Sequence, residues 1–296
     1  MPSISFAHLT DRALIRVSGA DASHFLQNLV TADIEGVDKT GAGSSALLTP
    51  QGKILFDFLI YKSGDAYLLD APKCTAADLL KRLGFYRLRA KVDLELLSDE
   101  TGVVAAWGAP AQASSAHVSV TDPRLGDLGQ RFVGPVATLS QELGGKPVDQ
   151  STYEFHRIER AVPEGLKDYD YSDIFPHDAD LDQLNGVSFS KGCYVGQEVV
   201  SRVQHRGSAR KRFVPVTSEG LLPEKGTGLT ASGKNIGTMG SSTTVEDRNI
   251  GIALLRLDKV RQAKDNDTPI LCGDLEIQVE LPDWATFTWP ETDAAN

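Results

Sequence analysis

A chain of 296 residues with 41% apolar and 24% charged side chains has the length of about two or three ordinary domains and the composition of a globular protein. That excludes disulfide-stapled miniature scaffolds and disordered, collagen-like or coiled-coil chains. Forty acids against thirty bases give a net charge of −10, so stable nucleic acid binding and attraction to an anionic membrane are not expected.

Apolar stretches such as residues 54–61 fall far short of the roughly 20 residues of a membrane helix. The start, Met1-Pro2-Ser3-Ile4-Ser5, shows no secretory or Arg-rich leader, so a cytoplasmic location is expected. Cys74, Cys193 and Cys272 form no CxxC and are expected to be free thiols.

In chain order, residues 21–31 place Phe25, Leu26, Leu29 and Val30 on one helical stripe. Residues 54–61, a Ser63-Gly64-Asp65 turn and residues 66–71 read as a hairpin. Thr75-Ala76-Ala77-Asp78 ahead of Leu79, Leu80 and Leu83 has the form of a capped helix start. Residues 98–134 are strand-like and broken by Gly and Pro. Ser151-Thr152-Tyr153-Glu154 has capping-box form and opens a helix with Phe155, Ile158 and Val162 on one side, ending near Pro163. From Phe213 onward short strands alternate with Gly-rich turns, for which an edge-free small antiparallel barrel is the natural solution. The tail, residues 290–296, is expected to fray.

Charge is unevenly distributed. Glu164, Asp168, Asp170, Asp173, Asp178, Asp180 and Asp182 face only Lys167 in their stretch and read as solvated surface. Residues 199–218 hold no acid, and there Arg202, Arg206, Arg210, Lys211 and Arg212 cluster with His205, a patch suited to a small polyanion. Gly41-Ala42-Gly43-Ser44-Ser45-Ala46 and Gly226-Thr227-Gly228-Leu229-Thr230-Ala231 fit a loose dinucleotide pattern but lack its strand-to-helix context. The histidines are too scattered for a metal pair, and no metal site is expected.

The densest chemistry lies in Ser190-Lys191-Gly192-Cys193-Tyr194-Val195-Gly196-Gln197-Glu198-Val199-Val200-Ser201-Arg202. Glycines on both sides of Cys193 favour a tight loop, and Val199, Val200 and Val203 predict a helix beginning near Gly196. A thiol just ahead of a helix, two residues from Lys191, has surroundings that favour thiolate and fit it as nucleophile or metal ligand. Cys74 and Cys272 read instead as buried small apolar residues.

The stretch from Lys191 to Glu198, followed by Arg202 and His205-Arg206-Gly207, resembles the KGCYxGQE signature of the YgfZ family. These are folate-binding iron–sulfur cluster assembly factors related to the glycine-cleavage T-protein, an aminomethyltransferase. Gly19-Ala20-Asp21-Ala22 through Thr31-Ala32-Asp33, Gln51-Gly52-Lys53-Ile54-Leu55 and Gly251-Ile252-Ala253-Leu254-Leu255-Arg256 resemble the family's opening segment, first hairpin and final barrel. The resemblance implies an α+β fold: an aminomethyltransferase-like folate-binding ring of two α+β modules plus a small C-terminal antiparallel β-barrel, around a hole for tetrahydrofolate. The implied modules are 1–98, 99–212 and 213–296, the first two interleaved.

Residue by residue, Gly52-Lys53-Ile54-Leu55-Phe56-Asp57 matches the T-protein's Gly-Gly-Ile-Leu-Asp-Asp, which places Asp57 at the catalytic aspartate and Phe56 where its neighbour would be. Strand alternation sets Asp57 beside Leu55 and Leu59, a carboxylate among apolar neighbours. Arg157-Ile158-Glu159 matches Arg-Leu-Glu, whose glutamate grips the pterin by accepting paired N–H donors. Four residues after Phe155, Glu159 is expected to face inward. Arg160 stands where the family has Ala. Lys191, Tyr194, Gln197 and Glu198 are further folate-binding candidates, and Arg202 and Arg206 would meet the glutamyl tail.

The leading expectation is a tetrahydrofolate-binding accessory factor in iron–sulfur cluster assembly or repair, partnered by iron–sulfur carrier or client proteins. A cluster ordinarily takes four cysteine ligands, so Cys193 would supply one in a complex or perform transient thiol chemistry. Two alternatives are a folate-dependent one-carbon transferase with Asp57 as base, and a folate-sensing binding protein without catalysis.

Overall fold

A computed structural model describes residues 3–207 and 209–291. The chain divides into two compact units, Met1–Glu154 with Leu184–Gln197 and Phe155–Gln183 with Glu198–Asn296.

The first unit holds β1 (Ser5–His8), β2 (Arg12–Ser18), α1 (Ala22–Gln27), α2 (Ile34–Thr40), β3 (Ala42–Leu48), β4 (Ile54–Ser63), β5 (Ala66–Pro72), α3 (Ala76–Arg87), β6 (Asp93–Leu96), β7 (Thr101–Trp107), β8 (Val118–Thr121), β9 (Gln130–Pro135), α4 (Val136–Glu142) and β10 (Lys146–Pro147). They make two five-stranded sheets, ordered β3-β4-β5-β2-β6 and β10-β1-β7-β9-β8. β1 pairs antiparallel with β7 and parallel with β10, so the first strand of the chain belongs to the second sheet and interleaves the two. Leu14, Leu59 and Leu68 of one sheet pack with Ala105 and Val133 of the other in one apolar cluster. Each leucine or valine among them, fully buried, contributes about 1.5–3 kcal/mol. Between them lies a buried polar network in which Asp70 accepts from Arg12 Nε at 2.6 Å and Tyr61 Oη at 2.7 Å. Asp122 accepts from Arg131 Nε at 3.0 Å; burial opposes its charge, but Arg124 and Arg131 prevail and bring its carboxyl down to about 2.

The β4–β5 hairpin forms as the alternation predicts, closing at Ser63 and Ala66 across Gly64 at φ +57°. The helix expected over 21–31 stops at Gln27, because the Gln27 side chain turns to the next helix. Its Oε1 accepts the Ile34 N–H at 2.7 Å, satisfying an orphan donor of α2. Thr75 precedes α3 without a side-chain cap bond. Gly41 is left-handed at φ +85° and ends α2 before β3, a helix-to-strand passage opposite in sense to a dinucleotide fingerprint.

α5 (Gln150–Glu159) begins one residue before the expected cap and ends four before Pro163. α6 (Gln197–Arg206) starts where the valine spacing places it. The second unit then builds β11 (Lys211–Ser218), β12 (Gly228–Ala231), β13 (Lys234–Val245), β14 (Arg248–Arg256), α7 (Leu257–Asp265), β15 (Ile270–Cys272) and β16 (Leu275–Val279). The strands close into the expected antiparallel barrel, ordered β11-β14-β13-β12-β15-β16 and sealed by Val216 against Val279. At the β13–β14 turn Glu246 and Asp247 both have positive φ, +50° and +64°, the twist a two-residue hairpin demands. Of the tail expected to fray, residues 292–296 lie outside the described residues. No helix among the described residues is long and apolar enough to cross a membrane.

Candidate functional site: an anchored thiol loop

Cys193 is exposed, on a loop four residues ahead of α6. Two features fix that loop on the first unit. The Lys191 ammonium donates to the carbonyls of Val30 at 2.8 Å and Ala32 at 2.6 Å, and lies 5.3 Å from the Tyr194 ring centroid. Gly196, at φ +81°, packs against the β3–β4 turn so closely that a Cβ there would fall 2.6 Å from the Thr49 carbonyl oxygen. Gly192 has open space instead, with nothing within 4 Å of an added Cβ. The loop is therefore pinned at both ends with its thiol in water. Beside it lies a cavity of about 750 Å³ lined in part by Val37, Val120, Asn185, Phe189 and Ser190; its wall ends three residues short of Cys193.

Burial pushes the Lys191 ammonium down to about 8 against a partial opposing pull from Asp33, and pushes the Tyr194 phenol up to about 12. The Tyr194 hydroxyl is buried with no hydrogen-bond partner among the described residues, a neutral donor left for an acceptor. The Lys191 shift has a testable sign. In the unfolded chain the amine returns to 10.5, so between about pH 8 and 10.5 the unfolded state binds more protons and stability rises with pH. Urea midpoints of wild type and Lys191→Met should diverge in favour of wild type across that window; a constant difference would sink the assignment.

The other sequence-designated residues are spread over both units. Asp57 is half-buried on β4, paired in register with Ala46, while Phe56 is buried. Gln197 opens α6 and is half-buried. Glu198 and Arg202 are exposed and form an i,i+4 ion pair at 2.6 Å, and Arg206 is exposed at the end of the helix. Glu159 is exposed rather than turned inward: Arg160 Nη1 meets its Oε2 at 3.1 Å and Arg248 Nη1 its Oε1 at 3.2 Å. It is the last residue of α5, where the helical stripe no longer dictates direction.

Two expectations about charge and thiols are corrected. The acidic run is not a solvated face, since Glu164, Asp168 and Asp180 are buried. Arg157, 0% exposed, donates to Asp168 Oδ2 at 2.7 Å, and Arg212, from the basic run, meets Asp182 Oδ1 at 2.5 Å and Asp180 Oδ1 at 3.3 Å. Buried guanidinium groups draw these carboxylates inward, and burial itself pushes the Asp180 carboxyl well up despite Arg212. Cys272 is buried as expected, but Cys74 is exposed. A small thiol reagent should thus modify Cys74 and Cys193 in the folded protein and Cys272 slower by roughly 10³-fold or more, since it waits for opening. Mass spectrometry of timed reactions checks this, and rapid labelling of Cys272 would contradict the barrel packing.

Residues 210–287 match the family model described as CAF17, C-terminal beta-barrel domain. The crystal structure of glycine cleavage system aminomethyltransferase T from Bartonella henselae superimposes with a TM-score of 0.76 at 17% identity, covering 96% of this chain and 87% of that one. The fold is thus the aminomethyltransferase-like α+β fold with a closed C-terminal barrel. The iron-sulfur cluster assembly factor IBA57 homolog, mitochondrial, of Pyricularia oryzae is 35% identical over 86% of this chain and 72% of its own length. The human mitochondrial iron-sulfur cluster assembly factor IBA57 is 30% identical over 95% and 84%. The chain belongs to the IBA57 family. The motif's suggestion is thus met in its coarser part, an iron–sulfur assembly-factor family related to YgfZ, with IBA57 as the family shown; the mitochondrial names of its members overturn the expected cytoplasmic location.

Proposed function

We propose that this protein is an accessory factor of iron–sulfur cluster assembly in which Cys193 supplies one thiolate ligand within a complex. The names of its relatives favour that role in a mitochondrial setting. The observation that carries the thiol assignment is the exposed sulfur on a loop held by Lys191 and Gly196. Among the described residues no group of three or more His, Cys, Asp or Glu is placed to hold a metal ion, so the remaining ligands of a cluster must come from a carrier or client protein. Cys193 loses its proton to solvent on ligation, and the rigid loop lowers the entropy lost when the complex forms.

Tetrahydrofolate is the proposed small-molecule ligand, its pterin on Glu159. The chemistry of this carboxylate fits. Its ion pairs with Arg160 and Arg248 are partly exposed and of the kind worth only about 0–1 kcal/mol, so a pterin's paired N–H donors can displace them. The role of the chain here is to present two coplanar acceptors. Of the transferase and sensor alternatives, neither gains support from a particular contact; Phe56 is packed in the core where the matched T-protein stretch has the first of its two aspartates.

The test is complementation of a deletion strain. Cys193→Ser should leave iron–sulfur enzyme activities at least roughly tenfold below wild type, with unchanged melting because the side chain is exposed. Full rescue would remove the thiol mechanism. Separately, Glu159→Gln keeps the shape and removes the charge, and should weaken tetrahydrofolate about tenfold, the loss of one charge-assisted contact. Unaltered affinity would overturn the pterin assignment.

A further inference from the structure

Two of the three most exposed large apolar side chains among the described residues lie three positions apart in the chain. Phe85 is 63% and Leu88 88% exposed, at the end of α3 and just beyond it. They do not result from an apolar helix face left over, because α3 already turns Ala76, Leu79 and Leu83 into the core. Leu88 adopts φ +42° and ψ −106°, a conformation that leucine rarely takes, and it holds that side chain in water. Around the pair stand Lys81, Arg82, Arg87, Arg89 and Lys91, all exposed, with no acid from residue 79 to 92 in a protein of net charge −10. None of these five side chains forms an ion pair among the described residues. Asp78 and Asp93 bound the stretch, and the Asp21 carboxylate reaches its far end, where it accepts the Lys91 backbone N–H at 2.8 Å.

We infer that this knob is a protein docking surface, with Phe85 and Leu88 seated in an apolar cleft of a partner whose rim is acidic. An aromatic anchor ringed by arginines has the composition of an interface centre. Five unpaired cations select an acidic rim and speed encounter with it. Two apolar side chains are too few to hold a membrane surface, where an amphipathic helix lays down a long apolar face. A nucleic acid would meet long-range repulsion from the rest of the chain and would find a single exposed ring, Phe85, to stack on, where single-strand binders offer a succession of them. The inference concerns a surface apart from the thiol loop and stands whether or not Cys193 ligates a cluster.

The experiment places a photo-crosslinking phenylalanine analogue at position 85 of the full-length chain, in cells deleted for the native gene, and identifies the product. The captured protein is then purified and titrated against wild type, Phe85→Ser/Leu88→Ser and Arg87→Glu/Arg89→Glu, with melting curves as a fold control. The expected result is an acidic protein whose affinity falls at least tenfold in each variant at unchanged melting temperature, with binding to wild type weakening as salt rises. No crosslink, a crosslink to lipid, RNA or a second copy of this chain, or a protein that binds all three forms equally would overturn the inference.

Discussion

Gly196→Ala is expected to destabilise the first unit by about 2–4 kcal/mol and to abolish thiol-dependent function, while Gly192→Ala, four residues away, stays within about 0.5 kcal/mol of wild type. The two glycines share a motif but not an environment. At Gly196 the backbone has φ +81°, and an added Cβ would lie 2.6 Å from the Thr49 carbonyl oxygen and 3.0 Å from Gly52 Cα and Leu48 Cβ. Those atoms cannot yield cheaply, because the Thr49 carbonyl accepts the Gly52 N–H at 2.8 Å and the Thr49 N–H donates to the Lys53 carbonyl at 2.8 Å. Either the β3–β4 turn opens or the loop lifts away, and in the second case Cys193 moves with it. At Gly192 an added Cβ meets nothing within 4 Å. Thermal melting of both variants, with complementation of iron–sulfur enzyme activity, decides the matter; equal melting temperatures would show that the loop is not pinned at Gly196.

That contrast marks what the sequence could and could not reveal. The β4–β5 hairpin and the barrel were legible because strand alternation and Gly-bearing turns are local signals, and the thiol loop because eight contiguous residues carry it. What fixes the loop was hidden, since Lys191 is held by the carbonyls of Val30 and Ala32, and a backbone acceptor leaves no trace in residue type. The acidic run misled for a related reason. Like charges in sequence suggest a solvated face, but the partners that bury Asp168 and Asp180 are Arg157 and Arg212, 11 and 32 positions away. Glu159 defeated the stripe argument because α5 ends on it. α7 carries a local signal as well, since Leu257, Val260 and Ala263 recur every third residue and are buried together. For Cys74 and Cys272 residue type alone carried no discrimination, and only the barrel separates them.

In the second unit the largest effect is expected at Asp168, where replacement by alanine should cost about 3–5 kcal/mol and leave the barrel unit unfolded in mild urea. Its Oδ2 accepts from Arg157 Nη1 and from the Glu164 N–H, both at 2.7 Å, and its Oδ1 accepts from the Ser241 N–H at 2.8 Å. One carboxylate thus joins the end of α5, the following loop and β13. Alanine would take a counter-charge from a guanidinium at 0% exposure and an acceptor from two amide donors, each loss costing about 1–3 kcal/mol. Asp168→Asn retains an acceptor without the charge and should fall between alanine and wild type. Arg157→Met combined with Asp168→Ala should be less destabilised than the sum of the single changes, because the second deletion removes the charge that the first leaves uncompensated. Glu198→Ala breaks the exposed pair with Arg202 and should shift stability by no more than about 0.5 kcal/mol. Urea midpoints for wild type and the five variants, the Arg157→Met single change included, test this ordering. An Asp168→Ala protein within about 1 kcal/mol of wild type would mean that water reaches Arg157 and that the buried network does not hold this unit together.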